Sequence, residues 1–111
     1  MDGCIFCKIA NKEIPSELVY EDETTVAFRD LSPQAPVHIL VIPKAHIKSV
    51  ADAEDEKLLG HIARVAAKIA EKENIAAGFR LVTNVGEDGG QTVEHLHFHL
   101  LGGRKMSWPP G

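Results

Sequence analysis

His95-Leu96-His97-Phe98-His99-Leu100-Leu101 alternates imidazole with apolar side chains and gathers half of the chain's six histidines into five positions. Alternation at period two is the pattern of a half-buried strand. It turns the three imidazoles to one face and Leu96, Phe98 and Leu100 to the other. Imidazole changes charge near neutral pH, accepts protons, attacks electrophiles and binds metals. Three in a row suit an anionic transition state or a metal ion. A polar strand face that happens to be rich in histidine is the plainer reading.

Working outward, Val37-His38-Ile39-Leu40-Val41-Ile42 is apolar enough to be a central strand, and Pro43 ends it. Leu18-Val19-Tyr20-Glu21 and Thr25-Val26-Ala27-Phe28-Arg29 read as two strands joined by a hairpin turn at Asp22-Glu23-Thr24. Residues 30–36 form a loop, because Pro33 and Pro36 suit neither ladder nor helix. Ile5 to Asn11 reads as a short helix. Asp52 reads as an N-cap with Asp55 three residues on. Leu58, Leu59, Ile62, Val65, Ala66 and Ile69 then recur at helical spacing up to about Asn74. Phe79 to Asn84 reads as a fourth strand and Gly86 to Gly90 as a flexible loop. The histidine strand is the fifth, ended by Gly102-Gly103. Strands interrupted by one long and one short helix, rather than alternating with helices, predict an α+β fold with a five-stranded antiparallel sheet.

A length of 111 residues fits one domain over 1–111 and leaves no room for two. The hydrophobic content of 44% is enough for a core, and the formal net charge of -4 carries no basic footprint, so a nucleic-acid partner is not expected. No apolar stretch is long enough to span a membrane, and the first residues lack the pattern of a signal peptide. The expected setting is therefore cytoplasmic. In that compartment Cys4-x-x-Cys7 points to metal or redox chemistry rather than to a disulfide.

Gly89-Gly90-Gln91-Thr92 precedes the histidines. Glycines permit close backbone approach, and exposed N–H groups in such a loop suit phosphate oxygens. Thr92 adds a hydroxyl able to donate to a leaving group. A simple turn is the other reading of the glycine pair.

The chain resembles the histidine triad (HIT) family, in particular its Hint branch of purine nucleoside phosphoramidases. The blocks that carry the likeness run in order along nearly the whole chain. They are Ile5-Phe6-Cys7-Lys8-Ile9, Glu13-Ile14-Pro15, Ala27 through Pro36, Val41-Ile42-Pro43-Lys44, Gly89 through Val93, the histidine segment, Leu101-Gly102-Gly103-Arg104 and Trp108-Pro109-Pro110-Gly111. The resemblance implies a HIT-like fold. It also implies a hydrolase that cleaves the P–N bond of purine nucleoside 5′-phosphoramidates through a covalent nucleotidyl-histidine. His97 would attack the α-phosphorus, its other nitrogen held as N–H by an acceptor. His99 would face the phosphate oxygens, and His38 would orient the triad. Ile5, Phe6, Ile9, Phe28 and Leu31 would hold the nucleoside, with Asp30 accepting the ribose hydroxyls. Asn84, Gly90, Gln91, Thr92 and Val93 would border the phosphate or the leaving amine. The family commonly has a serine where Thr92 stands, so the hydroxyl is kept and a methyl is added. His61, on the long helix, is assigned no chemistry.

The resemblance also implies a structural zinc held by Cys4, Cys7, His46 and His95, as in many bacterial members. Two thiolates and two imidazoles make a closed tetrahedral set. A redox role for the cysteines fits less well, since no thioredoxin-like pattern surrounds them. The implied working unit is a homodimer with Trp108 acting across it. Purine nucleoside monophosphates and phosphoramidates are the implied small-molecule partners. The alternatives are a dinucleoside polyphosphate hydrolase, a non-catalytic nucleotide-binding scaffold, and a small metal-binding module. The Trp-Pro-Pro-Gly tail matches the Hint branch better than the first of these.

Overall fold

The most apolar stretch of the sequence becomes the middle of the sheet. In the computed structural model, which describes residues 3–111, the elements follow as α1 (Ile5–Ala10), β1 (Leu18–Glu21), β2 (Thr25–Arg29), β3 (Val37–Pro43), α2 (Glu56–Lys72), β4 (Phe79–Val82) and β5 (Phe98–Gly102). A single 3-10 turn, Val50–Asp52, precedes α2. The five strands form one sheet in the order β1-β2-β3-β5-β4, with every neighbouring pair antiparallel. This is the expected α+β fold with a five-stranded antiparallel sheet, one long helix and one short one. Among the described residues no helix is long and apolar enough to cross a membrane.

The two faces of β3 are buried by different means. Ile39 and Val41 point to one side, where α2 packs with Ile62, Val65, Ala66 and Ile69, together with Leu96 and Leu100. Leu40 and Ile42 point to the other, where α1 packs with Phe6, Ile9 and Ala10 over Val26 and Phe28. The sheet is therefore covered by a long helix on one face and by one six-residue helix on the other. The second face leaves a cavity beside the short helix.

Three boundaries differ from the sequence expectation, each for a local reason. Asp55, not Asp52, caps α2, accepting from the N–H groups of Lys57 and Leu58 at 3.0 and 3.2 Å. Asp52 lies in the preceding turn, where it accepts from the Ser49 hydroxyl at 3.0 Å. The fourth strand ends at Val82, and the Thr83 hydroxyl continues the association by donating to the His97 carbonyl at 2.8 Å. The fifth strand begins only at Phe98. The chain turns away after Pro43, and Leu96 donates its N–H to Ile47 at 2.6 Å instead of extending the ladder. His95 and His97 thus precede the strand. The alternation still holds, because Leu96 joins the α2-side core while His95 and His97 meet the ring of Phe6.

α2 ends as read from the sequence. Asn74 takes a positive φ of 62°, and the Ile75 N–H returns to the Ala70 carbonyl at 2.9 Å while Asn74 bonds Glu71 at 3.2 Å. This paired closure is the Schellman motif. Near the other end of the helix, His61 reaches the hairpin. Its Nε2 lies 2.6 Å from Asp22 Oδ2, which also accepts from the Tyr20 hydroxyl at 2.6 Å. Asp22 Oδ1 accepts the N–H groups of Thr24 and Thr25, both at 2.9 Å. Burial disfavours the Asp22 charge. The Tyr20 hydroxyl, His61 and the two turn N–H groups outweigh it and hold the carboxyl well below the usual carboxylate range.

A depressed carboxyl contributes stability that is present above its unfolded-state pKa and lost as pH falls through lower values. Asp22→Ala should therefore cost roughly 2 kcal/mol near neutrality, as for other charge-assisted bonds. The stability gap between the wild type and Asp22→Asn should hold above about pH 5 and close as pH falls below about 4. Urea unfolding over that range is the measurement. A gap independent of pH would mean that the carboxylate is not the stabilising form.

Candidate active site and metal centre

Imidazoles become chemically distinct through what each ring nitrogen faces. A carbonyl can only accept and a backbone N–H can only donate, so either one fixes the tautomer. His97 Nδ1 lies 2.7 Å from its own neighbour's carbonyl, that of His95. Nδ1 therefore carries the proton and donates it there, and Nε2 keeps its lone pair. His38 is wired in the opposite sense. The N–H of Gln34 donates to His38 Nδ1 at 3.0 Å, so the His38 proton sits on Nε2. That proton is donated to His99 Nδ1 at 2.9 Å, which leaves His99 with N–H at Nε2. The result is a nucleophilic nitrogen on His97 beside a hydrogen-bond donor on His99, their rings 5.0 Å apart.

The same wiring excludes charge on the inner pair. A cationic His99 would set two N–H groups against each other across the contact with His38. Burial first, then repulsion from His97 and His38, pushes the His99 pKa down to about 4, against a partial offset from Asp30. Burial likewise lowers that of His38, opposed by the Asp30 carboxylate 3.6 Å away.

His97 and His99 open onto a cavity of about 270 Å³ between α1 and the sheet. Of the residues expected around a nucleoside, Ile5, Phe6, Ile9, Phe28, Asp30 and Leu31 all line it, as do Thr92, Val93, His97 and His99. Leu31 is 99% exposed, an apolar side chain with no protein cover at the mouth. Asp30 Oδ1 accepts the Ser32 N–H at 2.7 Å, which shapes the loop and aims the carboxylate. Ile14, Pro15, Ser16 and Leu40 also line the cavity and were not assigned from the sequence. Leu40 was legible, since it shares the period-two face of His38.

The other expected residues stand elsewhere. Gln91 accepts the Gly86 N–H at 3.0 Å and donates to the carbonyls of Lys48 and Val93 at 2.7 and 3.0 Å. The Gly90 and Gln91 N–H groups close on the Glu87 and Gly86 carbonyls, both at 3.0 Å. The glycines serve this turn: Gly90 has φ +86°, and a Cβ at Gly89 would stand 2.3 Å from the Val85 carbonyl oxygen. Asn84 lies beside this loop, its amide nitrogen 4.0 Å from where a Cβ on Gly90 would be. Trp108 is 81% exposed and outside the cavity.

His46 and His95 belong to a second cluster. Cys4, Cys7, His46 and His95 bring four donor atoms within 4.8 Å of one another. Cys4 Sγ and Cys7 Sγ lie 3.3 and 3.5 Å from His95 Nδ1, and Cys7 Sγ lies 3.3 Å from His46 Nδ1. Around a tetrahedral zinc, with Zn–S about 2.3 Å and Zn–N about 2.0 Å, sulfur and nitrogen ligands stand about 3.5 Å apart. His95 Nε2 donates to the Pro43 carbonyl at 2.8 Å, leaving Nδ1 as a lone pair facing both sulfurs. An outer hydrogen bond of this kind orients a metal-binding imidazole. Without a cation, burial and the adjacent Cys4 push the Cys7 thiol up. The donor set therefore fits zinc.

Asp30, His38 and His99 are equally close together, but their wiring does not suit a metal. Ligation through His38 Nε2 would require the proton on Nδ1, where the Gln34 N–H already donates.

The HIT domain family is matched over residues 11–106, and the chain belongs to that family. An uncharacterised HIT-like protein of Synechococcus elongatus is 56% identical over 99% of this chain and 98% of its own. A 14 kDa zinc-binding protein of Zea mays is 52% identical over 96% of this chain and 87% of its own. The crystal structure of a HIT family hydrolase from Legionella pneumophila superposes with a TM-score of 0.96 at 53% identity, covering 98% of this chain and all of that one.

The tautomer wiring gives stability a pH dependence of known sign. The unfolded chain binds a proton at His99 near the ordinary value of 6.5, and the folded chain only near 4. Unfolding therefore takes up a proton between those limits, and stability falls as pH drops from about 6.5 toward 4. His99→Gln should flatten that slope. Chemical denaturation of both proteins at fixed zinc checks it, and identical slopes would remove His99 from the explanation.

Proposed function

We propose that this chain hydrolyses the P–N bond of purine nucleoside 5′-phosphoramidates through a nucleotidyl intermediate on His97. The observation that carries the reading is the His97 Nδ1–H bond to the His95 carbonyl, which frees Nε2 as a lone pair at a cavity edged by Asp30. The nucleoside occupies the apolar wall formed by Phe6, Ile9 and Phe28, with Leu31 covering it and Asp30 accepting the ribose hydroxyls. Nε2 attacks the α-phosphorus as the P–N bond breaks. The Thr92 hydroxyl donates a hydrogen bond to the departing nitrogen and relays a proton to it from solvent water, and His99 Nε2–H donates to a phosphate oxygen. Water then attacks phosphorus, loses a proton to solvent through the same hydroxyl and breaks the P–Nε2 bond, releasing the nucleoside monophosphate and a neutral His97. This is nucleophilic catalysis dividing one displacement into two.

Zinc held by Cys4, Cys7, His46 and His95 would cross-link α1 to the segment ahead of β5 and take no part in bond making. The likeness to a zinc-binding protein of Zea mays supports that assignment. The Legionella HIT family hydrolase, superposing over its full length, supports hydrolysis as the reaction.

His97→Ala should lower adenosine phosphoramidate turnover by about three orders of magnitude or more, with folding and AMP binding retained. Single-turnover trapping and mass spectrometry should locate the nucleotidyl group on the peptide bearing His97. Near-normal turnover in the variant, or a label elsewhere, would exclude the mechanism.

The working unit we assign is a homodimer joined along β4, one of the two outer strands of the sheet, with the long helices beside the axis. Phe79 on that strand is 39% exposed and Trp108 is 81% exposed, which supports a second copy covering both. Deleting residues 108–111 should alter preference among leaving amines more than it alters AMP affinity. Sedimentation should report a dimer for the full chain. A fully active monomer, or an unchanged amine preference after truncation, would defeat the corresponding half.

A further inference from the structure

The zinc ligands and the nucleoside wall share one short segment. Cys4 is the N-cap of α1 and accepts the Cys7 N–H on its sulfur at 3.3 Å, and Cys7 lies one turn on. Between them stand Ile5 and Phe6, and Ile9 follows, all three on the cavity wall. A six-residue helix has too few internal bonds to persist alone. Among the described residues, the polar side-chain contacts from residues 4–10 to the rest of the chain are those of the two cysteines with His46 and His95. Apolar packing supplies the rest of its attachment. The link continues into the catalytic group. His95 offers its ring to the cluster and its carbonyl to His97 Nδ1–H, while the Phe6 ring meets His95 and His97 edge-on, with centroids 6.0 and 5.1 Å away.

We infer that zinc and nucleotide bind cooperatively in this chain, with α1 as the shared element and Phe6 as the contact that transmits the coupling. Zinc fixes the wall against which the nucleoside packs, and a bound nucleoside holds α1 over the cluster. Linkage makes the effect reciprocal: whatever factor zinc adds to nucleotide affinity, nucleotide adds to zinc affinity. The inference rests on the nucleoside occupying the cavity beside α1. It does not depend on which phosphoramidate, if any, is hydrolysed.

The test uses AMP and zinc alone, without turnover. Zinc affinity of the wild-type protein is measured by equilibrium competition with a chromogenic chelator, with and without saturating AMP. Calorimetry measures AMP affinity for the zinc-loaded and zinc-stripped protein, with circular dichroism reporting that the stripped chain remains folded. We expect AMP to tighten zinc about tenfold, and zinc removal to weaken AMP by a similar factor. Phe6→Ala should still bind one zinc, and saturating AMP should no longer tighten it. This variant keeps every metal ligand, so it separates the coupling from loss of the metal site. Equal zinc affinities with and without AMP in a wild type that binds AMP would overturn the coupling alone. Failure of the zinc-loaded wild type to bind AMP would overturn the nucleoside reading and the coupling with it. Retention of the full effect in Phe6→Ala would refute the transmission assigned to that ring.

Discussion

Each of the four imidazoles on β3, on β5 and just ahead of β5 has one nitrogen committed to a partner whose role is already fixed. His95 donates to the Pro43 carbonyl, His97 to the His95 carbonyl, His38 accepts from the Gln34 N–H, and His99 accepts from His38. Three of the four determinants are backbone groups, which do not titrate and do not rotate. The tautomers are thus consequences of the fold. A free imidazole in water divides its proton between two nitrogens and samples the cation. Here the division is settled before any substrate arrives, which is electrostatic preorganisation in its simplest form.

The backbone groups available for this purpose depend on where the ladder stops. Had β5 begun at His95, the His95 carbonyl would face a strand neighbour. The ladder opens because Pro43 ends β3 and the chain departs to bring in His46. The opening leaves the Pro43 and His95 carbonyls free for imidazoles, and gives the Leu96 N–H to Ile47. One interruption therefore produces both the Cys4–Cys7–His46–His95 cluster and the orientation of His97. The two faces of the sheet divide the remaining work. The α2 face carries the larger apolar cluster. The α1 face holds a small cluster beside an open cavity, where a short helix can respond to what binds.

The sequence made the strands, the long helix and the common face of the clustered imidazoles legible, because period-two and period-3.6 patterns report directly on burial. The alternation of residues 95–101 assigned the imidazoles to one face even though the strand itself begins three residues later. Capping was harder to read. Asp52 and Asp55 are chemically equivalent as N-caps, and only the Ser49 hydroxyl engaging Asp52 separates them. Gln91 illustrates a different limit. A polar side chain next to a glycine pair suits a phosphate as well as a loop, and three hydrogen bonds from its amide to Gly86, Lys48 and Val93 are invisible in sequence. Local pattern carries periodicity, while the partner of a polar group is set by residues far away in the chain.

That distinction also explains why His61 carried no signal and yet has a defined role. On a helical wheel it is an ordinary half-exposed residue. Its partner, Asp22, is 39 positions earlier in a hairpin turn, and the two meet only after α2 has packed across the sheet. The contact ties the edge hairpin to the long helix on the face away from the cavity. The histidines of this chain thus differ by what they face. His38, His95, His97 and His99 are each held in one tautomer by a backbone group or by one another. His61 engages the Asp22 carboxylate from the long helix, and its contribution is to the position of the hairpin.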